Sequence, residues 1–413
     1  MAIDVVVERV AGLDIAKASL VACVRLVGPR GGRRVLKRSF ATTTASLLEL
    51  ADWLAEHEVT LVGMESTSDY WKPVFYVLED RFDCWLLNAR HMKAVPGRKT
   101  DMTDAEWIAD LVAHGLVRPS FVPPPPIRRL RDLTRRRTIL LDERTREKQR
   151  MEKLLEDAGV KLSVVASDIF GTSGRAMIEA LIAGERDGQV LADLARGRMR
   201  TKITALRDAL VGRFDDHHAF LAQMILRQVD AINAMVADLD TRITTEISPY
   251  QAQLDLLDTI PGVNERGAQT LIAEIGVDMH RFTSAAHLAS WAGLCPGNNK
   301  TAGKARSTHT RPGNRWLKKS LGIAALAAVR TKNSYPHAQY RRIAARRGHA
   351  RARTAVAHTL LVTTWHILTT NTPYHDPGGD YFLNRDNPDH HRRRAVAALE
   401  RLGYHVDLQP RAA

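Results

Sequence analysis

The sequence is poor in cysteine and has no long apolar run. Cys23, Cys84 and Cys295 are an odd number without a CxxC pair, which argues against disulfides and a thiolate zinc site and fits a reducing compartment. No run approaches the roughly 18 apolar residues of a membrane span, and the N-terminus has no charged-then-apolar signal pattern. The sequence therefore predicts a cytoplasmic protein with no membrane partner.

Acidic residues are scarce relative to basic ones. The 413 residues include 60 Lys and Arg against 46 Asp and Glu, which gives a formal net charge of +14. This excess favours a polyanionic partner, DNA or RNA, although a basic protein from a GC-rich genome would have a similar composition. The length allows two or three domains.

The first 120 residues alternate predicted strands and helices. Apolar runs predict three successive strands, after which helices alternate with two further strands, in the order βββαβαβα. This is the order of a ribonuclease H-like α/β fold, in which the first and fourth strands lie side by side. The predicted domain comprises residues 1–122.

Four acidic residues occupy special places in this pattern. Asp14 ends the first strand, Glu65 ends the fourth, and Asp101 and Asp104 open the third helix. Adjacent strands would bring the first two together, and the helix would place the other two over them. Several carboxylates in one small space suit Mg²⁺ and phosphodiester chemistry. The alternative is that Asp101 and Asp104 are only N-terminal helix acids, which the helix dipole favours.

Residues 123–250 are predicted to be a linker and coiled-coil helices. The prolines Pro123–Pro126 predict a stiff extended linker. An Arg-rich helix follows over 128–150, and it is either a spacer or a helix that lies along a phosphate backbone.

One long helical stretch is predicted over residues 190–247, with a coiled-coil seam at steps of three and four. The seam comprises Ile203, Leu206, Leu210, Phe214, His217, Leu221, Met224, Gln228, Ile232, Met235 and Leu239. It favours a homo-oligomer, a dimer or tetramer. The alternative is a helical hairpin within one chain, formed with the helix near residues 128–157.

Residues 251–372 are predicted to form a compact helical domain, and residues 373–413 a tail. The segment LLDTIPGVNERGAQTLIAEIG (256–276) predicts a helix-hairpin-helix, whose backbone N–H groups would receive a DNA phosphate. An ordinary helical hairpin in a core is the alternative. A second Arg-rich segment, YRRIAARRGHARAR (340–353), predicts a further helix facing phosphates.

A basic segment free of acids runs from Lys300 to Lys319, with seven Lys and Arg. Its first part predicts a loop and RWLKKSLGIAALAAV a helix. Small hydroxyl residues between cations can bind phosphate or present a hydroxyl nucleophile, and a solvated basic loop is the alternative. The candidates for phosphate contacts are Lys304, Arg306, Arg311 and Arg315.

These motifs together resemble the DEDD transposases of bacterial insertion sequences, the insertion-sequence one-ten family. The resemblance spans most of the chain and is carried by GLDIAK, GMESTSDYW, NARHMKAVPGRKTDMTDAEWIADL, IPGVNERGAQTLIAEIG and GLCPGNNKTAGKARSTHTRPGNRWLKK. It implies a RuvC-like domain at the N-terminus and a distinct transposase domain at the C-terminus. The catalytic, Mg²⁺-binding set that it implies is Asp14, Glu65, Asp101 and Asp104.

The resemblance also implies recombination of donor and target DNA at the bacterial nucleoid, directed by a structured non-coding RNA. The nucleophile of the family is a serine in a Ser-Ala-Gly block after Pro-Gly-Asn-Asn. Here the block reads Lys300-Thr301-Ala302-Gly303, so Thr301 holds that position. Threonine keeps the hydroxyl but its methyl group restricts the rotamers. Three alternatives follow: Thr301 is the nucleophile, Ser307 replaces it, or the protein is impaired. We favour the first.

The sequence therefore predicts a DNA transposase or recombinase that cleaves and rejoins strands with Mg²⁺. Two other functions remain open. A junction-resolving nuclease would use water activated by the metal and would need the four acids but no hydroxyl nucleophile. A non-catalytic nucleic-acid-binding protein would carry a degenerate nuclease domain.

Overall fold

The computed structural model describes residues 5–28, 32–65, 68–93, 95, 102–296, 299–301, 304–307, 310–382 and 388–408. The chain divides into two compact units, Met1–Val122 and Pro123–Ala413. The finer division of the second unit at residues 250 and 372 stays a prediction. Among the helices that the structure describes, none combines the length and the apolar character that a membrane crossing requires.

The first unit is a mixed five-stranded sheet with helices. Its strands are β1 (Arg9–Ile15), β2 (Ser19–Val27), β3 (Arg33–Ala41), β4 (Leu61–Glu65) and β5 (Asp83–Leu87); its helices are α1 (Thr44–Glu56), α2 (Trp71–Leu78), α3 (Ala89–Lys93) and α4 (Asp104–Ala113). The strand order is β3-β2-β1-β4-β5, with β1 antiparallel to β2 and parallel to β4. The predicted pairing of the first and fourth strands is confirmed, and the order is compatible with a ribonuclease H-like fold.

Apolar side chains cover both faces of this sheet. On one face Leu13 and Met64 pack with the buried face of α1, including Leu50. On the other face Val10 and Leu61 pack with α4. Because side chains alternate along a strand, every second residue from Val10 and from Leu61 points to the α4 side.

The second unit is helical apart from two short strands among the described residues. Its helices are α5 (Pro125–Asp157), α6 (Leu162–Val165), α7 (Thr172–Ile182), α8 (Gly188–Asp193), α9 (Ile203–Ala209), α10 (Asp216–Ile247), α11 (Gln251–Asp258), α12 (Glu265–Ile275), α13 (Ala285–Trp291), α14 (Arg315–Ala328), α15 (Tyr335–Arg347), α16 (His349–Thr370) and α17 (Pro388–Arg401). Short 3₁₀ turns lie at Gly197–Lys202, Ser248–Tyr250 and Met279–Arg281. The strands are β6 (Asn299–Thr301) and β7 (Lys304–Ser307).

The proline run is not a linker over its full length. Pro125 and Pro126 form the first turn of α5, with Pro124 as the N-cap residue. Proline fits the first helical turn because the N–H groups there have no partner within the helix. The prediction of an extended linker over Pro123–Pro126 was therefore wrong for its second half.

The helices α5 and α10 pack against each other as an antiparallel pair. Arg137 Nη1 donates to Asp240 Oδ1 at 2.7 Å, and Arg144 Nη1 donates to Asn233 Oδ1 at 2.9 Å. Arg144 lies seven residues after Arg137, and Asn233 lies seven residues before Asp240. A step of seven residues is typical of helices that pack along a seam. This is the hairpin within one chain that the sequence left as the alternative. Self-association stays a prediction.

The single helical stretch predicted over residues 190–247 was wrong. It is divided into α8, a 3₁₀ turn, α9 and α10, and Asp215 begins α10 by accepting a hydrogen bond from the His218 N–H at 3.1 Å. A capping aspartate of this kind starts a new helix. The predicted seam is therefore not one surface, since Ile232 is buried whereas Met224 and Met235 are 54% and 40% exposed.

The loop predicted before α14 is partly wrong as well. The strands β6 and β7 pair antiparallel, with Thr301 opposite Lys304, and a bridge between Pro296 and Thr310 extends the hairpin. Antiparallel pairing satisfies backbone groups that an open loop would leave to water. The predicted helix after this segment is present as α14.

The helices of the predicted helix-hairpin-helix are α11 and α12, joined through Gly262 at φ +80°. A Cβ at Gly262 would lie 2.2 Å from the Ala324 carbonyl oxygen, so this turn packs directly on α14. Asn264 caps α12 by accepting from the Gly267 N–H at 3.0 Å. Phosphate binding at this turn stays a prediction.

Candidate active site

Two paired glycines allow α4 to lie directly on the sheet. Gly12 of β1 is opposite Gly63 of β4. A Cβ at Gly12 would be 2.2 Å from the Ala105 carbonyl oxygen and 2.4 Å from the Ala109 nitrogen, and a Cβ at Gly63 would be 2.6 Å from Val112 Cγ2. Any larger residue would push the helix away, so glycine is required at this close approach.

Asp14 and Glu65 each lie two residues beyond one of these glycines. Side chains alternate along a strand, so both carboxylates lie on the face of the sheet that α4 covers. The register supports their proximity, because Leu13 pairs with Met64 immediately before the two acids. Asp14 is exposed and Glu65 half-buried at this edge.

The helix α4 brings a third acid to the same edge. Asp104 is its first residue, preceded by the N-cap Thr103. Partial burial raises the pKa of the Asp14 carboxyl above its ordinary value, and the charge of Asp104 raises it further. Such a shift indicates that the two carboxylates repel each other, and a bound divalent cation would relieve this repulsion. Asp104 thus lies near enough to Asp14 for its charge to raise the pKa of that carboxyl.

Two further acids of α4 anchor the helix. Arg25 is buried and donates from Nε to Asp110 Oδ1 at 2.9 Å, and Arg33 donates from Nη1 to Asp110 Oδ2 at 2.9 Å. Lys37 Nζ lies 2.7 Å from Glu106 Oε2. The sequence analysis missed these pairs, although acids four residues apart on a helix and a basic strand were signals for them. They hold α4, and hence Asp104, in position.

The fit of a metal to this edge rests on the donors. They are carboxylate oxygens, the ligands that Mg²⁺ prefers, and two of them repel each other. In the part of the chain that the structure describes, no group of three or more His, Cys, Asp or Glu is close enough to hold a metal ion. The fourth predicted acid, Asp101, lies outside the described residues. The complete ligand set therefore stays a prediction.

The candidate nucleophile lies in the second unit. Thr301 ends β6, and its backbone pairs with that of Lys304, the first residue of β7. Arg306 lies two residues further along the same strand. Thr301 thus lies opposite Lys304 on a pair of basic strands, and its role as a nucleophile stays a prediction.

The two other predicted cations lie at the start of α14. Arg311 is exposed, and its carbonyl oxygen accepts a hydrogen bond from Lys318 Nζ at 3.1 Å. Arg315 is the first residue of α14, and its guanidinium lies 4.4 Å from the centre of the Trp316 ring. Stacking on an aromatic face holds an exposed guanidinium in place.

A buried carboxylate that the sequence analysis missed fixes the start of α14. Glu274 of α12 is 0% exposed and receives both Nε and Nη2 of Arg135, at 2.7 and 2.8 Å. It also accepts from Asn314 Nδ2 at 2.5 Å. Asn314 in turn caps α14 by accepting from the N–H groups of Trp316 and Leu317. A glutamate within the apolar run LIAEIG was the signal for a buried, paired charge.

Two family models match the chain over separate parts. A DEDD transposase model of the IS110 type matches residues 11–159. A second model, described as "Transposase IS116/IS110/IS902 family", matches residues 254–341. The first match includes the acids at the sheet edge, and the second includes Thr301 and the start of α14.

The chain is similar to proteins of known insertion elements. The uncharacterized 42 kDa protein of insertion element IS900 from Mycobacterium paratuberculosis is 26% identical over 298 residues, which are 67% of this chain and 73% of the relative. The uncharacterized 43.6 kDa protein of insertion element IS110 from Streptomyces coelicolor is 39% identical over 75 residues, 18% of each protein.

Proposed function

We propose that this chain, which belongs to the IS110 family of transposases, cleaves and rejoins DNA strands to move an insertion sequence. The observation that carries the proposal is the approach of α4 to the paired glycines. This approach supports a common site for Asp104, Asp14 and Glu65 on one face of the sheet. Carboxylates at the edge of a sheet suit phosphodiester chemistry.

Asp14, Glu65 and Asp104, together with Asp101, would hold Mg²⁺. When bound, this ion would polarise the scissile phosphate as a Lewis acid. The part of the chain itself is to hold these acids on one edge of the sheet despite the repulsion between Asp14 and Asp104. The packing of α4 on Gly12 and its ion pairs to β2 and β3 support this arrangement.

The hydroxyl of Thr301 would attack the phosphorus atom. A bond would form between Thr301 Oγ1 and phosphorus, and the bond from phosphorus to the 3′-oxygen of the DNA would break. The hydroxyl proton would pass to that 3′-oxygen, which leaves as a hydroxyl and later attacks in the reverse sense to rejoin strands. The position of Thr301 in the family block supports this role, and Lys304, Arg306, Arg311 and Arg315 are the proposed phosphate contacts.

Substitution of Thr301 tests the attacking group. We expect Thr301→Ala to lose both strand cleavage and the covalent protein–DNA adduct, by at least about a thousandfold, and Thr301→Ser to retain both. Ser307→Ala is the matched control and should leave both intact. A Thr301→Ala protein that still cuts DNA would instead be a nuclease that uses activated water.

Substitution of the acids tests catalysis itself. Asp14→Asn combined with Glu65→Gln should abolish DNA rearrangement while leaving DNA binding in place. Unchanged rearrangement would mean that the protein acts only by binding nucleic acid.

A structured non-coding RNA is part of the proposal, and the resemblance and the net charge of +14 support it. Purification of the protein with its bound RNA, followed by sequencing, tests this point. A defined RNA encoded beside the gene is expected, and bulk cellular RNA alone would contradict it.

Self-association completes the proposal. The exposed side chains Phe220, Met224 and Met235 on α10 support it, because apolar groups on a helix face favour contact with a second copy. Light scattering should give a mass above 46.0 kDa.

A further inference from the structure

A cavity of about 310 Å³ lies between α14 and α16, at the low end of the size range of small-ligand sites. It is lined by Leu294, Thr310, Lys318, Lys319, Gly322, Ile323, Leu326, Arg353, Thr354 and Ala357. Its lining includes both apolar and cationic side chains. We name it the Gly322 cavity.

Gly322 is an unusual residue for its place. It lies in the interior of α14, where glycine is less favourable than alanine. At Gly12 or Gly262, a Cβ built on the glycine would clash with the backbone of a neighbouring helix. At Gly322, no described heavy atom lies within 4 Å of the built Cβ. Packing within the described chain therefore does not require a glycine at this position. Its presence favours a ligand that approaches the helix backbone closely.

Part of the lining is apolar, and we call this part the floor. Ile323 and Leu326 flank Gly322 on the same face of α14 and are 59% and 43% exposed. From α16, Ala357 completes this surface. Exposed aliphatic side chains around a bare backbone suit a flat, apolar group.

Another part of the lining is cationic, and we call this part the rim. Lys318, Lys319 and Arg353 line it, and Lys318 is held by hydrogen bonds to Arg311 O at 3.1 Å and Thr310 Oγ1 at 3.4 Å. Lys319 pairs with Asp142 of α5. A cationic rim beside an apolar floor matches a nucleotide, which has an apolar base face and an anionic phosphate.

We propose that the Gly322 cavity binds one unpaired nucleotide of a DNA strand, with the base against Gly322, Ile323 and Leu326 and the phosphate at Lys318 and Arg353. A paired base buries its faces in the stack, so only an unpaired base can offer a face to this floor. The proposal rests on the proposed function, because strand cleavage and exchange leave unpaired DNA.

DNA is the occupant that the position of the cavity favours. Thr310 is in its wall, and the bridge from Thr310 to Pro296 closes the base of the hairpin that carries Thr301. The cavity thus adjoins the segment that carries the proposed nucleophile, which acts on DNA in the proposed function.

The test uses the full chain without metal, so that only binding is measured. Fluorescence anisotropy compares a DNA duplex that has one unpaired 3′ nucleotide with the same duplex in which that nucleotide is abasic. We expect the wild-type protein to bind the first at least about fivefold more tightly. Gly322→Leu should abolish this preference and leave the affinity for the abasic duplex unchanged.

Two further variants separate the cavity from folding. Ala327→Leu adds the same side chain at an exposed position of α14 outside the cavity and should keep the preference. Gly322→Ala should weaken the preference although it raises Tm by about 1–2 °C, because alanine favours the helix.

Several results would overturn the proposal. They are a preference that survives Gly322→Leu, the absence of a preference in the wild-type protein, or a stronger preference for the same overhang made of RNA. Failure of the proposed function would appear separately, as a wild-type protein that does not cleave DNA with Mg²⁺. A protein that cleaves normally but ignores the unpaired base would refute the cavity alone.

Discussion

The two candidate regions are positioned by different means. In the first unit, Asp14 and Glu65 follow paired glycines on neighbouring strands, and α4 lies on those glycines. In the second unit, the start of α14 depends on Glu274, which reaches it from another helix and is held by Arg135 of a third. The first arrangement depends on close backbone contact, whereas the second depends on buried charge.

This difference decides what each region tolerates. A backbone contact has no charge to desolvate, so it fails only when a side chain is added. A buried ion pair is costly to form and leaves an uncompensated charge when one partner is lost. The two regions should therefore respond to opposite kinds of substitution.

Removal of the buried charge should have the largest effect. Glu274→Gln leaves Arg135 without its anionic partner, and we expect the free energy of unfolding to fall by about 3–5 kcal/mol. Urea denaturation of the full chain measures this change. Glu179→Gln, which removes the exposed partner of Arg175, should cost less than about 1 kcal/mol. Equal losses would mean that Glu274 does not anchor α14.

Addition of one methyl group at the sheet should have the next largest effect. Gly12→Ala places a Cβ within 2.4 Å of two backbone atoms of α4. Such overpacking should lower the free energy of unfolding by about 1–3 kcal/mol, and the same urea experiment measures it. Gly32→Ala is the control, since no described atom would meet its Cβ, and it should change stability by no more than about 0.5 kcal/mol. A harmless Gly12→Ala would disprove the close approach of α4.

Removal of the charge of Asp14 should have the smallest effect on stability. Unlike the two changes above, it should stabilise the folded protein. The folded state favours protonated Asp14, because its pKa is raised there. Asp14→Asn should therefore raise the free energy of unfolding at pH 7 without metal, by less than about 1 kcal/mol because Asp14 is exposed.

The pH dependence sharpens this expectation. The ordinary pKa of the Asp14 carboxyl is 3.8. Below this pH the carboxyl is protonated in both the folded and the unfolded state, so Asp14→Asn should no longer stabilise the protein. The gain should appear as the pH rises through 3.8 and be complete above the raised pKa. Thermal denaturation between pH 3 and 8 measures it. Asp69→Asn, which loses the ion pair to Lys72, should show no gain. A gain for Asp14→Asn that is independent of pH would exclude the repulsion.

Strand-based features were predictable from the sequence. Apolar runs predicted the strands of the first unit, and the order of elements placed Asp14 and Glu65 on neighbours. The helix that begins at Asp104 was predicted from its apolar spacing. These features depend on local periodicity, which is legible in one sequence. Asp101 lies outside the described residues, so its place in the set stays a prediction.

Features that depend on distant partners were not predictable. The spacing of apolar residues predicted one helix over residues 190–247. Asp215 begins a new helix there, although the apolar spacing continues across it. The proline run predicted a linker that included Pro125 and Pro126. Proline is equally compatible with an extended linker and with the first turn of a helix. The hairpin of Thr301 and the network of Glu274 both arise from contacts between segments far apart in sequence.

The matched steps of α5 and α10 make the length of this helix pair adjustable. Residues that pair across the two helices shift together by seven, as Arg137 with Asp240 and Arg144 with Asn233 show. Deletion of residues 138–144 together with 233–239 would therefore join the flanking pairs in unchanged register. Each such paired excision would shorten the arm by about 10 Å. The pairing of α5 with α10 can thus be shortened by whole heptads with the flanking register kept, at the loss of the ion pair between Asp142 and Lys319.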